Sequence, residues 1–517
     1  MINMISHFRA AMLTAALTLT AAPATADSFV DAINEALSRV AEDRRSDLVV
    51  LPALIEMSAP PELVMRRPDV AGLISPAGPL WDDATAWASA EPQQGVLDAI
   101  VEVTEETNPR RAMRFALPYG IGAVPTAFIR AGVHAELGDP PTIASAQLGY
   151  MPRFVWTAVL VDIETSRLIE EGDPEKAIEL NIHLARFARQ IADRQLGEEV
   201  EWAYSTIARA MRRIRDVVYV DSKNDAKLSS AFLIEVVEGI DVDRGLYRVD
   251  RFRLPEGDRQ AALQLVERVF NGSGRPDPAV FPTAMAQMAA TARPLRLFAE
   301  AGRWSGELSS HASADETRRM IDGIFNDWNT RWSFDPFDPI QSSRSVYRSI
   351  GDQAQGFAVV TESVPDLGTL IALRKVVQVE TVGTRCALAS QALTIATGAR
   401  ASTLAILRPR YIDDLGVDPF NPDVDLNNRP ELLYFVPERD DIRGEVHRMN
   451  IEPPIDAPFS VVLTDDDFVI YSPGGNGADE RAVNVSTNPE AAFGDYLIWP
   501  PVISLARDYL ELSGESR

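Results

Sequence analysis

The sequence predicts a mainly α N-terminal region of stacked helical hairpins, followed by a smaller α+β domain with an antiparallel sheet. Three observations carry this reading. Apolar residues recur every three or four positions from Asp27 to about Pro365; a long stripe of the same kind then runs to Gly398; short apolar runs bounded by turn residues follow it. The chain has 517 residues, 50 Lys plus Arg against 75 Asp plus Glu, a formal charge of -25 and 46% hydrophobic residues. That balance is globular, and the length holds two to four domains at roughly 100 to 200 residues each. So acidic a chain repels phosphate backbones and anionic lipid, and no Lys/Arg cluster stands out against it. Nucleic acid is therefore not an expected partner.

The opening residues 1–26 have a short region carrying Arg9, an apolar stretch from about Ala10 to Thr20, and Ala24-Thr25-Ala26 before Asp27. This is the pattern of a secretory signal with a small-residue cleavage site. Its apolar run is shorter than the roughly 20 residues that span a bilayer, and no later run reaches that length. The expected location is periplasmic or secreted, with no membrane insertion after cleavage. Cys386 is the single cysteine, so no disulfide can form within the chain.

From Met57 to Trp81, five prolines and two glycines leave no room for a long helix, and the stretch reads as a connection without chemistry of its own. The clearest helical hairpin runs from Met151 to Asp193. Trp156, Leu160 and Ile163 share a face of its first arm; Leu180, Leu184, Phe187 and Ile191 share one of its second. Between them Gly172 suits a left-handed C-terminal cap, Asp173 an N-cap and Pro174 the first helical position. A third helix carries Ala203, Ile207, Met211, Ile214 and Val218 on one stripe, with Arg209, Arg212, Arg213 and Arg215 mostly off it. Each helix has one apolar face to bury, so neighbours are expected to stack. The period of about 34 residues that marks tetratricopeptide repeats is not met.

The domain boundary is expected just before residue 365, giving a helical region at 27–364 and a second domain at 365–517. Ala372, Val376, Val379, Val382, Cys386, Ala389, Leu393 and Ala396 then form one helical stripe, which makes Cys386 a core residue. Leu432 to Val436, Phe459 to Leu463 and Phe468 to Tyr471 read as strands, the last two joined as a hairpin through Thr464-Asp465-Asp466-Asp467.

In this C-terminal stretch, Gly398, Asp418-Pro419-Phe420, Tyr434 and Tyr471-Ser472-Pro473-Gly474 resemble the end of the major pseudopilin of type II secretion. They are closer still to the similar module that ends a group of exported bacterial proteins with a helical N-terminal region. Ala401 stands where proline is usual in that family. The resemblance implies a pseudopilin-like architecture and a candidate calcium site in the loop after the last strand, with Asp479 and Asp495 as acidic ligands. A second acidic run, Asp423-Val424-Asp425, fails as a calcium loop, with Asn428 and Tyr434 where Gly and Glu are required.

Catalytic patterns are scarce. His134, His183, His311 and His447 have no metal-ligand spacing, and His183 reads as an exposed helix residue. Neither a nucleophile elbow nor a P-loop is present, and Gly120-Ile121-Gly122-Ala123-Val124-Pro125 fails as a dinucleotide turn. No catalytic residue and no organic cofactor is assigned. The expected function is an exported, non-enzymatic binding or scaffold protein of the cell envelope with a protein partner there. The alternative is an envelope hydrolase with a carboxylate-based active site. A deep cleft holding two carboxylates would favour the enzyme.

Overall fold

Proline and glycine punctuation cuts the first part of the chain into short helices: α1 (Ser28–Ser38), α2 (Asp47–Glu56), α3 (Glu62–Met65), α4 (Trp81–Ala88), α5 (Glu91–Thr104) and α6 (Thr126–Ala131). A two-stranded ribbon, β1 (Ala135–Glu136) with β2 (Gln147–Leu148), precedes the longer helices α7 (Met151–Glu170), α8 (Pro174–Ile191) and α9 (Gly197–Lys223). Then come α10 (Ser230–Gly239), α11 (Gly257–Val269), α12 (Phe281–Gln287), α13 (Pro294–Glu307), α14 (Ala314–Ser333), α15 (Val346–Ser349), α16 (Ala358–Ser363) and α17 (Gly368–Thr397). The C-terminal part adds β3 (Leu433–Phe435), β4 (Arg448–Glu452), β5 (Phe459–Val462), β6 (Val469–Ser472), β7 (Asn484–Ser486), β8 (Asp495–Trp499) and α18 (Val502–Ser513). This computed structural model describes residues 27–224, 226–240, 251–288, 294–334, 336–421, 430–437, 446–452, 458–463 and 468–514. The segment 1–26, the acidic run at 423–428 and the turn at 464–467 lie outside them.

The α7–α8 hairpin forms where its punctuation places it. Gly172 takes φ +75, a left-handed conformation that costs glycine little, and Pro174 opens α8. Asp173 occupies the cap position, but its carboxylate pairs with Lys176 and bonds no backbone N–H of the first turn. A lysine one turn ahead competes for the same oxygens.

The core is laid along α9, which packs on α8 and on α17. Residues 379–390 of α17 are buried on every side, so the single stripe expected there is part of a helix enclosed by α9, α10 and the sheet. Cys386 is fully buried, its Sγ 3.5 Å from the Leu415 carbonyl oxygen. A second buried hub joins helix starts to the first part of the chain. Glu199 accepts from Arg194 at 2.6 Å and from the Tyr150 hydroxyl at 2.5 Å, and also from Tyr119.

The sheet runs β3-β6-β8-β7-β4-β5. It is mixed instead of wholly antiparallel, because the three-residue β7 lies parallel to both β8 and β4. Nor do β5 and β6 form the expected hairpin. β5 pairs with β4 at one edge, while β6 pairs with β3 and β8 toward the other. Adjacency in sequence lost to the apolar pairing of Ile470 and Tyr471 with Trp499 and Leu497.

Candidate functional site

The third helix brings its arginines inward. Two faces of α9 are buried: the apolar stripe meets α8, and a second face turns toward α7, α17 and the C-terminal segment. Arg213 and Arg215 are only 1% and 2% exposed. Buried guanidinium groups need partners, and each finds carboxylates and carbonyls. Arg215 donates to Glu380 Oε2 at 2.6 Å and Thr384 Oγ1 at 2.7 Å. Arg213 reaches Asp216, Ser166 and, at 3.0 Å, the Asp162 carbonyl. Arg209 donates through Nε to Asp162 Oδ2 at 2.8 Å and through Nη2 to the Pro68 carbonyl at 2.7 Å. From α18, Arg507 donates to Asp216 Oδ2 and to the Gly72 carbonyl, both at 2.9 Å.

Of these residues Pro68, Asp162, Arg209, Arg213 and Arg215, with Arg212, line a cleft of about 470 Å³, within the size range of small-molecule sites. One wall is the short 3-10 segment Pro68–Leu73, which the sequence reading treats as a mere connection. The other walls are α7, α9 and the β8–α18 junction, so both ends of the chain contribute. The lining between the arginines is apolar: Val70, Leu73, Trp202, Leu497, Pro501 and Ile503. At Gly72 a Cβ would come within 2.6 Å of Ile503 Cδ1, so glycine keeps this wall close to α18.

Charge at the cleft is not balanced. The four lining arginines, Arg209, Arg212, Arg213 and Arg215, share three carboxylates, Asp162, Asp216 and Glu380, and Arg507 draws on Asp216 as well. Asp69, also on the lining, is offset by Arg67 at 3.5 Å. Burial first, then the neighbouring Arg507 and Arg209, push the Arg213 pKa down to about 9, with Asp162 opposing. Arg213 Nε has no hydrogen-bond partner; its nearest carboxylate oxygen, on Asp162, is 3.9 Å away. Arg212 is the most accessible member, with its side chain 44% exposed, a 3.5 Å contact to Glu380 and a hydrogen bond to the Tyr496 hydroxyl. The arginine cluster that the sequence reading did not find is therefore here. Its signal was four arginines within seven positions of one helix in a chain of charge -25.

The residues singled out from sequence sit elsewhere. Asp479 and Asp495 share the loop region after β6, and both carboxylates are engaged. Asp479 Oδ1 accepts from the Tyr471 hydroxyl and the Arg481 N–H, each at 2.8 Å. Asp495 is buried at the start of β8 and accepts from the Ala482 N–H at 2.6 Å and the Glu480 N–H at 3.3 Å. Burial pushes the Asp495 carboxyl up to about 6; those backbone bonds oppose the rise, and Asp479 and Glu480 add to it. Calcium takes roughly six to eight oxygens. Among the described residues no three acidic, histidine or cysteine side chains converge in a metal-binding arrangement.

None of the histidines lines the cleft, and His447 packs on Phe435, 5.0 Å between ring centres. His183 is half-buried instead of exposed, 2.7 Å from Thr104 Oγ1, and burial followed by Arg186 lowers its pKa to about 4. His311 Nε2 accepts from the Val359 N–H at 3.2 Å, and His134 lies beside Glu136. Asp418, singled out in the Asp418-Pro419-Phe420 stretch, is buried and accepts from the Phe420 N–H at 3.0 Å, and Tyr434 donates to the Ala401 carbonyl at 2.8 Å. These motif residues hold loop to sheet. No helix among the described residues is long and apolar enough to cross a membrane. No family model, curated protein or solved structure matches the chain.

Proposed function

We propose that this chain is an exported, non-enzymatic binding protein of the cell envelope, and that its arginine-lined cleft takes an anionic small molecule with an apolar body. In this reading the helical hairpins stack as a scaffold and the pseudopilin-like C-terminal module closes the cleft from one side. The observation that carries it is the surplus of guanidinium over carboxylate on apolar walls, inside an acidic protein. Such a surplus is costly without an anion, because buried like charges repel and a buried guanidinium N–H loses its water. A carboxylate or phosphate head would meet Arg212 and Arg209, and an alkyl or aryl body would lie along Trp202 and Ile503. The carboxylates at the cleft pair with arginines, Asp162 through Oδ2 with Arg209 and Glu380 through Oε2 with Arg215, which favours binding over carboxylate catalysis.

Titration calorimetry with laurate, with the matching fatty alcohol and with the Arg212→Ala variant tests this. Laurate should bind, and either the alcohol or the variant should lower affinity roughly ten- to a hundred-fold, the effect of losing one charged hydrogen bond. Equal affinity for acid and alcohol in the native chain would overturn the proposal. For calcium at Asp479 and Asp495, the resemblance is the only support. Melting with and without millimolar calcium decides it, and an unchanged midpoint removes the ion.

A further inference from the structure

A second cavity, of about 620 Å³, shares no lining residue with the first cleft and opens between α1, α8, the segment around 106–115 and the segment 251–256. Its charges sort into two groups. Every carboxylate on its lining is already matched: Asp193 by Arg189 at 2.8 Å, Glu106 by Arg111 at 2.8 Å, and Glu256 by Arg259 at 3.7 Å. On its floor Arg194 is spent on Glu199. Four other lining arginines, Arg114, Arg186, Arg251 and Arg253, make no ion pair with a carboxylate among the described residues. Arg186 has only a 3.4 Å contact to the Thr104 carbonyl.

Four unmatched guanidinium groups around one concavity form a strongly positive spot on a chain of net charge -25. Lysines in that position could extend into solvent as independent charges. Guanidinium forks instead offer paired donors to oxyanions. The concavity has the volume of a small-molecule site, and the chain's net charge of -25 repels an extended polyanion. A nucleic acid strand or an anionic membrane is therefore disfavoured, and a compact ligand with several negative charges is favoured.

We infer that this cavity binds a small multivalent oxyanion, phosphorylated or polycarboxylic, through Arg114, Arg186, Arg251 and Arg253. The site is separate from the α9 cleft and does not depend on what binds there. Its ligand needs no apolar body, and its affinity falls steeply with salt because the rim arginines are solvent-accessible.

The test is titration of the full chain with pyrophosphate and, separately, with citrate, at low and physiological ionic strength. At least one should bind with a dissociation constant below about a millimolar. The paired variant Arg251→Ala/Arg253→Ala should weaken it by roughly ten-fold or more, while Arg212→Glu, in the other cleft, should leave it unchanged. Arg114→Ala, on a different segment, should weaken it as well, and circular dichroism checks that each variant is folded. Preference for pyrophosphate or for citrate assigns the ligand to the phosphorylated or the polycarboxylic kind. Saturation with neither anion, or binding indifferent to the Arg251/Arg253 and Arg114 changes, would overturn the inference. Loss of binding in Arg212→Glu alone would move the anion to the first cleft and overturn it equally.

Discussion

Single side chains decide how the buried charges are held. Glu199 binds Arg194 and two tyrosine hydroxyls in full burial, and desolvation raises both Tyr119 and Tyr150 well above the ordinary tyrosine range. Removing its charge strands a buried guanidinium, so Glu199→Gln should cost about 3–5 kcal/mol in chemical denaturation. A loss under about 1 kcal/mol would mean water reaches Arg194. Cys386 gives the opposite kind of residue. Burial pushes its thiol up to about 12, so iodoacetamide should leave the native chain unmodified and label it only on unfolding. Labelling under native conditions would contradict the packing of α17. The cysteine's burial was legible because a small residue recurring at helical spacing has one ordinary use. The arginines of α9 were not, since their sequence pattern marks charge and says nothing of Asp162, Asp216 and Glu380, which arrive from elsewhere on α7 and α9 and from α17.

Elements meet at their ends as well as along their faces. The starts of α9 and α11 lie against each other: Gly197 donates to Asp258 Oδ2 at 2.7 Å, and Gly257 donates to the Gln195 carbonyl at 2.9 Å. A Cβ at Gly257 would sit 2.4 Å from that carbonyl oxygen, and backbone cannot swing aside as a side chain can. Asp258 is raised to about 7, chiefly by burial, with the Glu199 charge adding to it and the Gly197 N–H opposing. Its unfolded value is near 3.8. Stability from this group is therefore complete below pH 3.8 and declines as pH rises through about 7, because the unfolded chain ionises first. Asp258→Asn removes that dependence while keeping an acceptor for Gly197. The melting temperature of the variant relative to the native chain should rise between pH 4 and about pH 7 and level off above it. A constant difference across that range would place the Asp258 titration outside it. The α7–α8 hairpin was readable because Gly172 and Pro174 act locally, through φ and a missing N–H. The strand order was not, because pairing β6 with β8 instead of β5 is decided by residues far apart in the chain, and a strand as short as β7 leaves no alternation to read.

Across the whole molecule, the change from helix to strand was visible in the sequence, but the way the two parts are joined was not. Helix α17 carries Glu380 into the space between α9 and β8, where it binds Arg215 on one side and the Tyr496 hydroxyl on the other. Ser504 and Arg507 of α18 add two further bonds to Asp216 of α9. Buried hydrophobic residues from the first helix to the last strand form one cluster, which includes Ile33, Ile214, Val382 and Ile498. With charge pairs and apolar packing both crossing the junction, neither side retains its core when the other opens. Heating the full chain should therefore give one transition, with the far-ultraviolet helix signal and the fluorescence of its eight tryptophans, Trp499 in the sheet among them, lost together. Glu380→Gln should lower the melting temperature by several degrees, since it leaves Arg215 buried and uncompensated, and should keep the transition single. The anion proposed for the α9 cleft would touch Pro68–Leu73, α9 and the β8–α18 junction at once, and should raise the midpoint of both signals together. If the C-terminal sheet melts in a separate step in the native chain, it is a self-standing module, and a ligand there stabilises only the half it touches.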